Sequence, residues 1–354
     1  MQTELAVSGV IGTWAGPRSA GTAFVMAHHK IGDVGDGRLA SWGFPAGGMG
    51  AVSDALRSAA ESFGAVVRTD APVDRILVRN GRATGVVLQS GEEIRADVVI
   101  AATHPKLTFL EHIDRSELPD DFVADIERWK TRSGTVKVNL ALDRLPEFAG
   151  KPGFDPEVHG GTIVLAERLD EIETAFRDAV AGRPAVAPFA DICIPSVFDR
   201  SLAPEGAHVM SMFTQWVPHQ YAGKPMSSEL AAYADRVIAR VEQVAPGFTA
   251  SILHRQVIGP YEMEHEYGLV GGNIFHGELS ADQMFHMRPA AGYADFRTPI
   301  AGLYQASSAT HGGGGVTGIP GLNVVSRIVA DRHIGHRRSA RVPGATNKGA
   351  FGRS

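Results

Sequence analysis

Cysteine is almost absent: the 354-residue chain has one, Cys193. No intrachain disulfide and no C-x-x-C redox pair can form from it. Cys193 lies in Asp191-Ile-Cys-Ile-Pro195, which reads as a buried strand, so a core position is expected for it. Long apolar runs are lacking too. Val98–Ala102 and Ile163–Ala166 fall far short of the ~18 residues that argue for a membrane span, which leaves peripheral contact as the one membrane association still open. The N-terminus has Glu4 but no basic residue before Arg18, so it lacks the charged start of a signal peptide. The expected location is the cytoplasm, or the mitochondrial matrix in a eukaryote. No G-x-S-x-G elbow occurs, so serine hydrolysis lacks its nucleophile signal. Glu262-Met-Glu-His-Glu266 looks metal-like, but Leu269 stands where a second histidine is needed; it reads as a solvated acidic loop, with no metal expected.

Positive charge is outnumbered by negative except at the end. Residues 332–354 carry six basic residues and no acid, and removing them from the net charge of −5 leaves −11 for residues 1–331. So acidic a body is a poor nucleic-acid surface, and the segment 334–354 reads as a basic, frayed tail.

What the chain has in quantity is apolar residues, 44%, and glycine, 41 residues. The length allows about two domains at ~100–200 residues each. With no G-x-y period, the glycines mark tight turns or close backbone approaches to a ligand. Phe44-Pro-Ala-Gly-Gly-Met-Gly50 opens a helix whose Val52, Leu56, Ala59, Ala60 and Phe63 share one face, with Gly64 ending it. A short strand, Ala65–Val67, is expected next. Val73–Val78 and Ala83–Leu88 flank Asn80-Gly81, a type I′ hairpin signal. Val98–Ala102 is continuously apolar, as in a strand buried on both faces.

The middle changes character. Val136, Val138, Leu140 and Leu142 alternate with polar or small residues, giving a half-buried antiparallel strand. Thr162–Ala166, Ala190–Ile194 and His208–Val217 are further strand candidates, and Leu230, Ala234, Val237, Val241 and Val244 stripe a helix. Near the end, Gly302–Ala306 reads as a strand and Pro320–Arg332 as a helix. His28-His29 reads as strand, with the two rings on opposite sides and no shared ligand site.

Between that last strand and helix runs Ala306-Ser-Ser-Ala-Thr-His-Gly-Gly-Gly-Gly-Val-Thr-Gly-Ile-Pro-Gly321. Glycines let the backbone approach a ligand there, and the helix leaves with free N–H groups facing it. Such a loop suits a phosphate or an electron-rich ring edge. It fails as a dinucleotide fingerprint, because no βαβ unit with an acid ~20 residues on follows it.

With these residues in view, the sequence resembles the phytoene-desaturase-like (phytoene-dehydrogenase-like) flavoproteins, and is most similar to the family called pyridine nucleotide-disulfide oxidoreductase domain-containing protein 2. The carrying segments are Trp42–Ala55, Asp143-Arg-Leu-Pro146, Cys193-Ile-Pro-Ser196, Phe213-Thr-Gln215, Ala234-Asp-Arg-Val237, Gly271–His276 and Thr310–Gly321. The disulfide chemistry in that name cannot apply to a chain with a single cysteine. The resemblance implies an α/β fold: an FAD/NAD(P)-binding-type sheet of the amine-oxidase-like kind, incomplete because its N-terminal βαβ is missing, with an inserted α+β substrate domain. The expected division is 1–103 with 298–333 for the sheet, and 104–297 for the insert. FAD is the implied cofactor. Val73, Ala101, Ala102, Thr103, Thr310, Gly313, Gly314, Gly315, Val316, Thr317 and Gly318 match its binding positions. Gly272, Asn273, His276, Gln283 and Arg288 match the substrate side, and His311 is the best polar candidate for catalysis.

The implied activity is hydride transfer between flavin and a small apolar, polyene-like substrate. The family's N-terminal G-x-G-x-x-G segment has no counterpart after Met1, so this chain alone is expected to hold FAD weakly, as a truncated reading frame or a fragment. The alternative is a truncated, non-catalytic member acting through protein contacts.

Overall fold

A computed structural model of the chain describes residues 2–31, 37 and 43–339. Trp42 and the basic segment from residue 340 onward lie outside them. Three helices come first: α1 (Gln2–Val10), α2 (Thr22–Lys30) and α3 (Met49–Ser62). Then β1 (Val73–Arg79), β2 (Arg82–Leu88) and β3 (Glu93–Arg95) form an antiparallel sheet in that order. Asn80 and Gly81 both take positive φ, 52° and 69°, as the two-residue type I′ turn requires. β4 (Val99–Ala101) and α4 (Asp120–Arg128) follow.

The larger unit begins at β5 (Thr135–Leu142) and continues through α5 (Pro156–His159), β6 (Ile163–Leu165), α6 (Leu169–Val180), β7 (Phe189–Cys193), β8 (His208–Gln215), α7 (Ser227–Val244), β9 (Ile252–Ile258) and α8 (Pro260–Tyr267). Its five strands lie in the order β6-β7-β8-β5-β9, all antiparallel neighbours. The chain then returns through β10 (Leu303–Gln305), which pairs in parallel with β4, and ends in α9 (Ile319–Ser339).

Alternation explains the core. Val136, Val138, Leu140 and Leu142 are each 2% exposed or less, because every second residue of β5 turns to the same face. They meet Met210 and Met212 of β8, Ile172 and Ala175 of α6, and the Leu230, Tyr233, Val237, Val241 stripe of α7. A second core gathers Ile76, Ala83, Phe109, Phe122, Ile126, Ile300 and Leu303 between the meander and α4.

Several expectations change. Val7 and Val10 of α1 sit in the core of the five-stranded unit, so the N-terminal residues pack with the insert rather than with the sheet fragment. Ala65–Val67 forms no strand. Ile100 in β4 is 44% exposed, so that strand is covered on one side only. α3 forms where read, yet its apolar stripe faces outward: Leu56 is 67% and Phe63 92% exposed. Cys193 is half-buried on the face opposite Ile192 and Ile194, its Sγ 3.9 Å from the Ser211 carbonyl. Residues 262–266 belong to helix α8 rather than a loop, and His28-His29 to helix α2 rather than a strand. Few apolar positions mark α8, since of its residues only Pro260 and Met263 are buried. The last helix runs seven residues past Arg332 to Ser339, through the start of the expected tail. No helix among the described residues is long and apolar enough to cross a membrane.

Exposure separates the two apolar surfaces energetically. Leu140→Ala is expected to cost about 2–5 kcal/mol of stability through the cavity it leaves, and Leu56→Gln less than about 0.5 kcal/mol. Urea midpoints of the two variants check this; a large loss at Leu56 would mean that α3 is covered in solution.

Candidate functional site

β4 and β10 run in the same direction, with Val99 opposite Leu303, Ile100 opposite Tyr304 and Ala101 opposite Gln305. Their loops therefore leave from one end, the end where open α/β sheets bind ligands. The Ala306 N–H donates to the Ala101 carbonyl at 2.8 Å. Gln305 Nε2 donates to Thr108 Oγ1 at 3.2 Å, and Thr108 Oγ1 meets Thr103 Oγ1 at 2.7 Å. Ala101, Ala102 and Thr103 are thereby fixed beside the start of the glycine loop.

That loop begins with a tight turn. Thr310 is fully buried and donates its N–H and its hydroxyl to the Ser307 carbonyl at 3.0 and 2.7 Å. Thr310 is thus a brace rather than a lining group. Gly313, Gly315 and Gly318 have φ of 68°, 104° and 70°, a region that only glycine enters without strain. A Cβ on Gly313 or Gly318 would meet nothing within 4 Å; Gly313 is buried, whereas the backbone at Gly318 lies open. Val316 shares the left-handed conformation, φ 57°, and is 72% exposed. Thr317 Oγ1 accepts from the Ile319 N–H at 3.2 Å, capping α9. His311 stands exposed on the loop.

The segment 273–288 folds against this loop. Gly314 faces the Phe275 ring, which would lie 3.3 Å from a Cβ placed there. Arg288 is 1% exposed; its Nη2 donates to the carbonyls of Phe275 at 2.7 Å and Ser308 at 2.9 Å, and its Nη1 to that of Gln283 at 3.3 Å. Its guanidinium also lies 5.3 Å from the Trp129 ring. No carboxylate pairs with it among the described residues. Burial alone pushes its titration down to about 10, which leaves it charged at neutral pH.

Asn273 Oδ1 accepts from the N–H groups of Phe275 and Gly277 at 2.9 and 3.1 Å. Gln283 accepts from the Lys130 N–H at 2.5 Å and donates to its carbonyl at 3.0 Å. These side chains hold loops. Gly272 does the same by its size, since a Cβ would lie 2.6 Å from Pro260 Cα. The His276 carbonyl receives the Trp129 indole N–H at 2.8 Å and His104 Nε2 at 3.1 Å.

Of the expected positions, the structure thus brings together Ala101–Thr103, the 310–318 loop, Asn273, His276, Gln283 and Arg288. Val73 is half-buried in the separate three-stranded sheet, opposite Leu88, and no hydrogen bond joins it to the crevice among the described residues. Sequence reading missed Phe275, Ser308, Trp129 and His104 as site residues. Among the described residues no group of three metal-type ligands converges.

The histidines here are held neutral. His104 titrates at about 3, pushed down first by burial and then by the neighbouring His276, Lys106 and Arg288. His28 and His276 are also lowered by burial and then by the Arg288 charge.

The sequence model of the family described as flavin containing amine oxidoreductase matches residues 6–321. The chain is 40% identical over 339 residues to the pyridine nucleotide-disulfide oxidoreductase domain-containing protein 2 of Rattus norvegicus, covering 94% of this chain and 58% of the relative. It is 30% identical over 292 residues to the phytoene desaturase (neurosporene-forming) of Cereibacter sphaeroides, covering 80% and 53%. The chain therefore spans little more than half the length of the curated relatives it matches. Among solved structures, an oxidoreductase from Methanosarcina mazei superposes with a TM-score of 0.51 at 20% identity, over 83% of this chain and 56% of that one; this likeness speaks to the fold alone.

Two measurements check the site. Arg288→Met removes the donors of three backbone carbonyls and is expected to cost about 2–4 kcal/mol, with Arg288→Lys recovering only part because it lacks the planar fork; equal stability of all three proteins in urea would refute the clasp. Because His104 binds a proton at about 3 when folded and near 6.5 when unfolded, the unfolded chain takes up the proton first as pH falls. Stability conferred by neutral His104 is complete above 6.5 and is lost on descending toward 3. His104→Gln is expected to flatten that decline, read from urea midpoints at successive pH values.

Proposed function

The chain belongs to the flavin containing amine oxidoreductase family, and from that premise we propose that it carries the glycine-loop and substrate portions of an FAD-dependent oxidoreductase. The observation that carries this reading is the open backbone of Gly315–Gly318 between the C-terminal end of β10 and the first turn of α9. Its residues fit the flavin dinucleotide: left-handed glycines without side chains, and a helix N-terminus whose dipole favours negative charge. FAD, when bound, supplies hydride-transfer chemistry.

The chain's own residues supply the surroundings. The Ala101–Thr103 strand end and the 313–318 backbone are the groups to hold the cofactor. Phe275, Leu279 and Met284, packed with Val25, form an apolar wall that excludes water. Arg288 fixes that wall against the loop and places a buried positive charge beside it, which favours negative charge developing in the site. The substrate would be a small, largely apolar molecule; a relative is named phytoene desaturase, which supports an apolar class. No comparison favours a non-catalytic role in protein contacts, and no nucleic-acid partner is expected of so acidic a body.

The test is a titration of FAD into the purified chain, followed by flavin fluorescence. Saturable quenching is expected, weakened at least tenfold by Gly315→Val, whose side chain has no comfortable place at φ 104°. A folded chain that gives no saturable quenching would overturn the reading.

A further inference from the structure

Two ring nitrogens beside Phe275 are buried without a partner among the described residues, His29 Nε2 and His276 Nδ1. His29 is on the last turn of α2, and its Nδ1 lies 2.8 Å from the Val25 carbonyl. A carbonyl can only accept, so Nδ1 carries the proton and Nε2 presents a bare lone pair. The ring packs edge to face on Phe275, with centroids 5.6 Å apart. Phe275 in turn fills the space that side chains on Gly12 and Gly314 would take. His29 is therefore one ring away from the glycine loop. Buried acceptors left unmatched are rare in folded chains and call for a ligand or an ordered water.

The charges around this lone pair narrow the donor. Arg288 is buried without a carboxylate among the described residues. Burial first, and then the neighbouring His28 and Lys30, oppose protonation of His29, against the Val25 carbonyl, which favours it. Lys30 Nζ lies 3.9 Å from the Glu4 carboxylate, and its charge also reaches Asp191 beside Lys137. A cationic ammonium would be opposed there by the same Lys30 charge that disfavours a protonated His29, whereas a neutral hydroxyl would not.

We propose that His29 Nε2 is the acceptor for a substrate hydroxyl, so that the substrate of this site has an apolar body bearing an alcohol group. This deepens the proposed function and rests on it. Phe275, Leu279 and Met284 take the apolar body, and the hydroxyl turns toward His29. A pure hydrocarbon would leave the lone pair unmatched, and a primary amine at neutral pH would arrive charged.

The test uses the whole chain with 13C- and 15N-labelled histidine, titrated with 1-hexanol, hexylammonium chloride and hexane as probes. Hexanol is expected to shift the His29 Nε2 resonance saturably, hexylammonium and hexane to leave it in place. His29→Leu is expected to weaken hexanol binding at least tenfold, with His29→Gln, which keeps an acceptor, weakening it less. If the leucine variant does not fold, the glutamine variant and the resonance shifts decide alone. An unmoved His29 signal, an equal shift with hexane, or a stronger shift with hexylammonium would overturn the proposal. FAD quenching of the unmodified chain is read in parallel: its failure overturns the flavin reading, whereas intact quenching with an unresponsive His29 overturns the hydroxyl assignment alone.

Discussion

One buried guanidinium holds the candidate site together. Arg288 donates to the carbonyls of Phe275, Gln283 and Ser308, and these lie on two separate stretches of chain. Burying a charge without a counter-ion is costly unless dipoles surround it. Here the dipoles are backbone carbonyls, with the Trp129 ring face adding a further attraction. The same cation reaches outward: after burial, it further lowers the titration of His28, His104 and His276. A single ion thus sets the shape of the loop and adds to the effect of burial on the rings beside it. Neutral imidazoles can accept hydrogen bonds, which imidazolium ions cannot.

The second constraint is the pairing of β4 with β10 across the whole inserted unit. Two three-residue strands form a weak parallel pair, so neighbouring contacts must fix them. Arg297 Nε and Nη2 clasp both Asp331 oxygens at 3.0 and 2.5 Å, and Tyr304 OH donates to the same carboxylate at 3.0 Å. This ties α9 to β10 while Phe296, Tyr304 and Val324 pack beneath. The glycine loop between them is anchored at both ends, which is how a stretch of open backbone can keep one conformation.

The elements legible in the sequence were those whose pattern is local. Strand β5 shows alternation, α7 a clean apolar stripe, and Asn80-Gly81 a turn that its φ angles dictate. The glycine loop was legible because few conformations explain so many glycines between a strand and a helix. The braces around it were not. Arg288, Gln283 and Asn273 were assigned to the substrate side by resemblance, but their side chains are occupied with backbone groups, a partnership that depends on distant loops. Strand β9 escaped because its middle residues, His254, Arg255 and Gln256, are exposed, so no apolar alternation marks it. His28-His29 was dismissed on strand geometry, whereas a helix sets the two rings 5.9 Å apart.

Pattern also reports which residues suit burial, without saying whether anything buries them. Leu322, Val325 and Val329 share one side of α9 and are 70%, 53% and 48% exposed, while Val324 on the other side is 1% exposed. Leu56 and Phe63 on α3, and Ile100 on β4, are exposed in the same way. Stability in this chain therefore comes mainly from the five-stranded unit and the Phe109–Phe122 cluster, with the two-stranded sheet contributing least. Regions of few buried contacts open at the lowest free energy, and the crevice sits at the end of that sheet. A ligand that binds only the ordered loop stabilises it by RT ln(1 + [L]/Kd), so occupancy of the crevice and order in the small sheet are thermodynamically one equilibrium. The left-handed glycines make the loop receptive, and the Arg288 and Asp331 clasps limit how far it can open when empty.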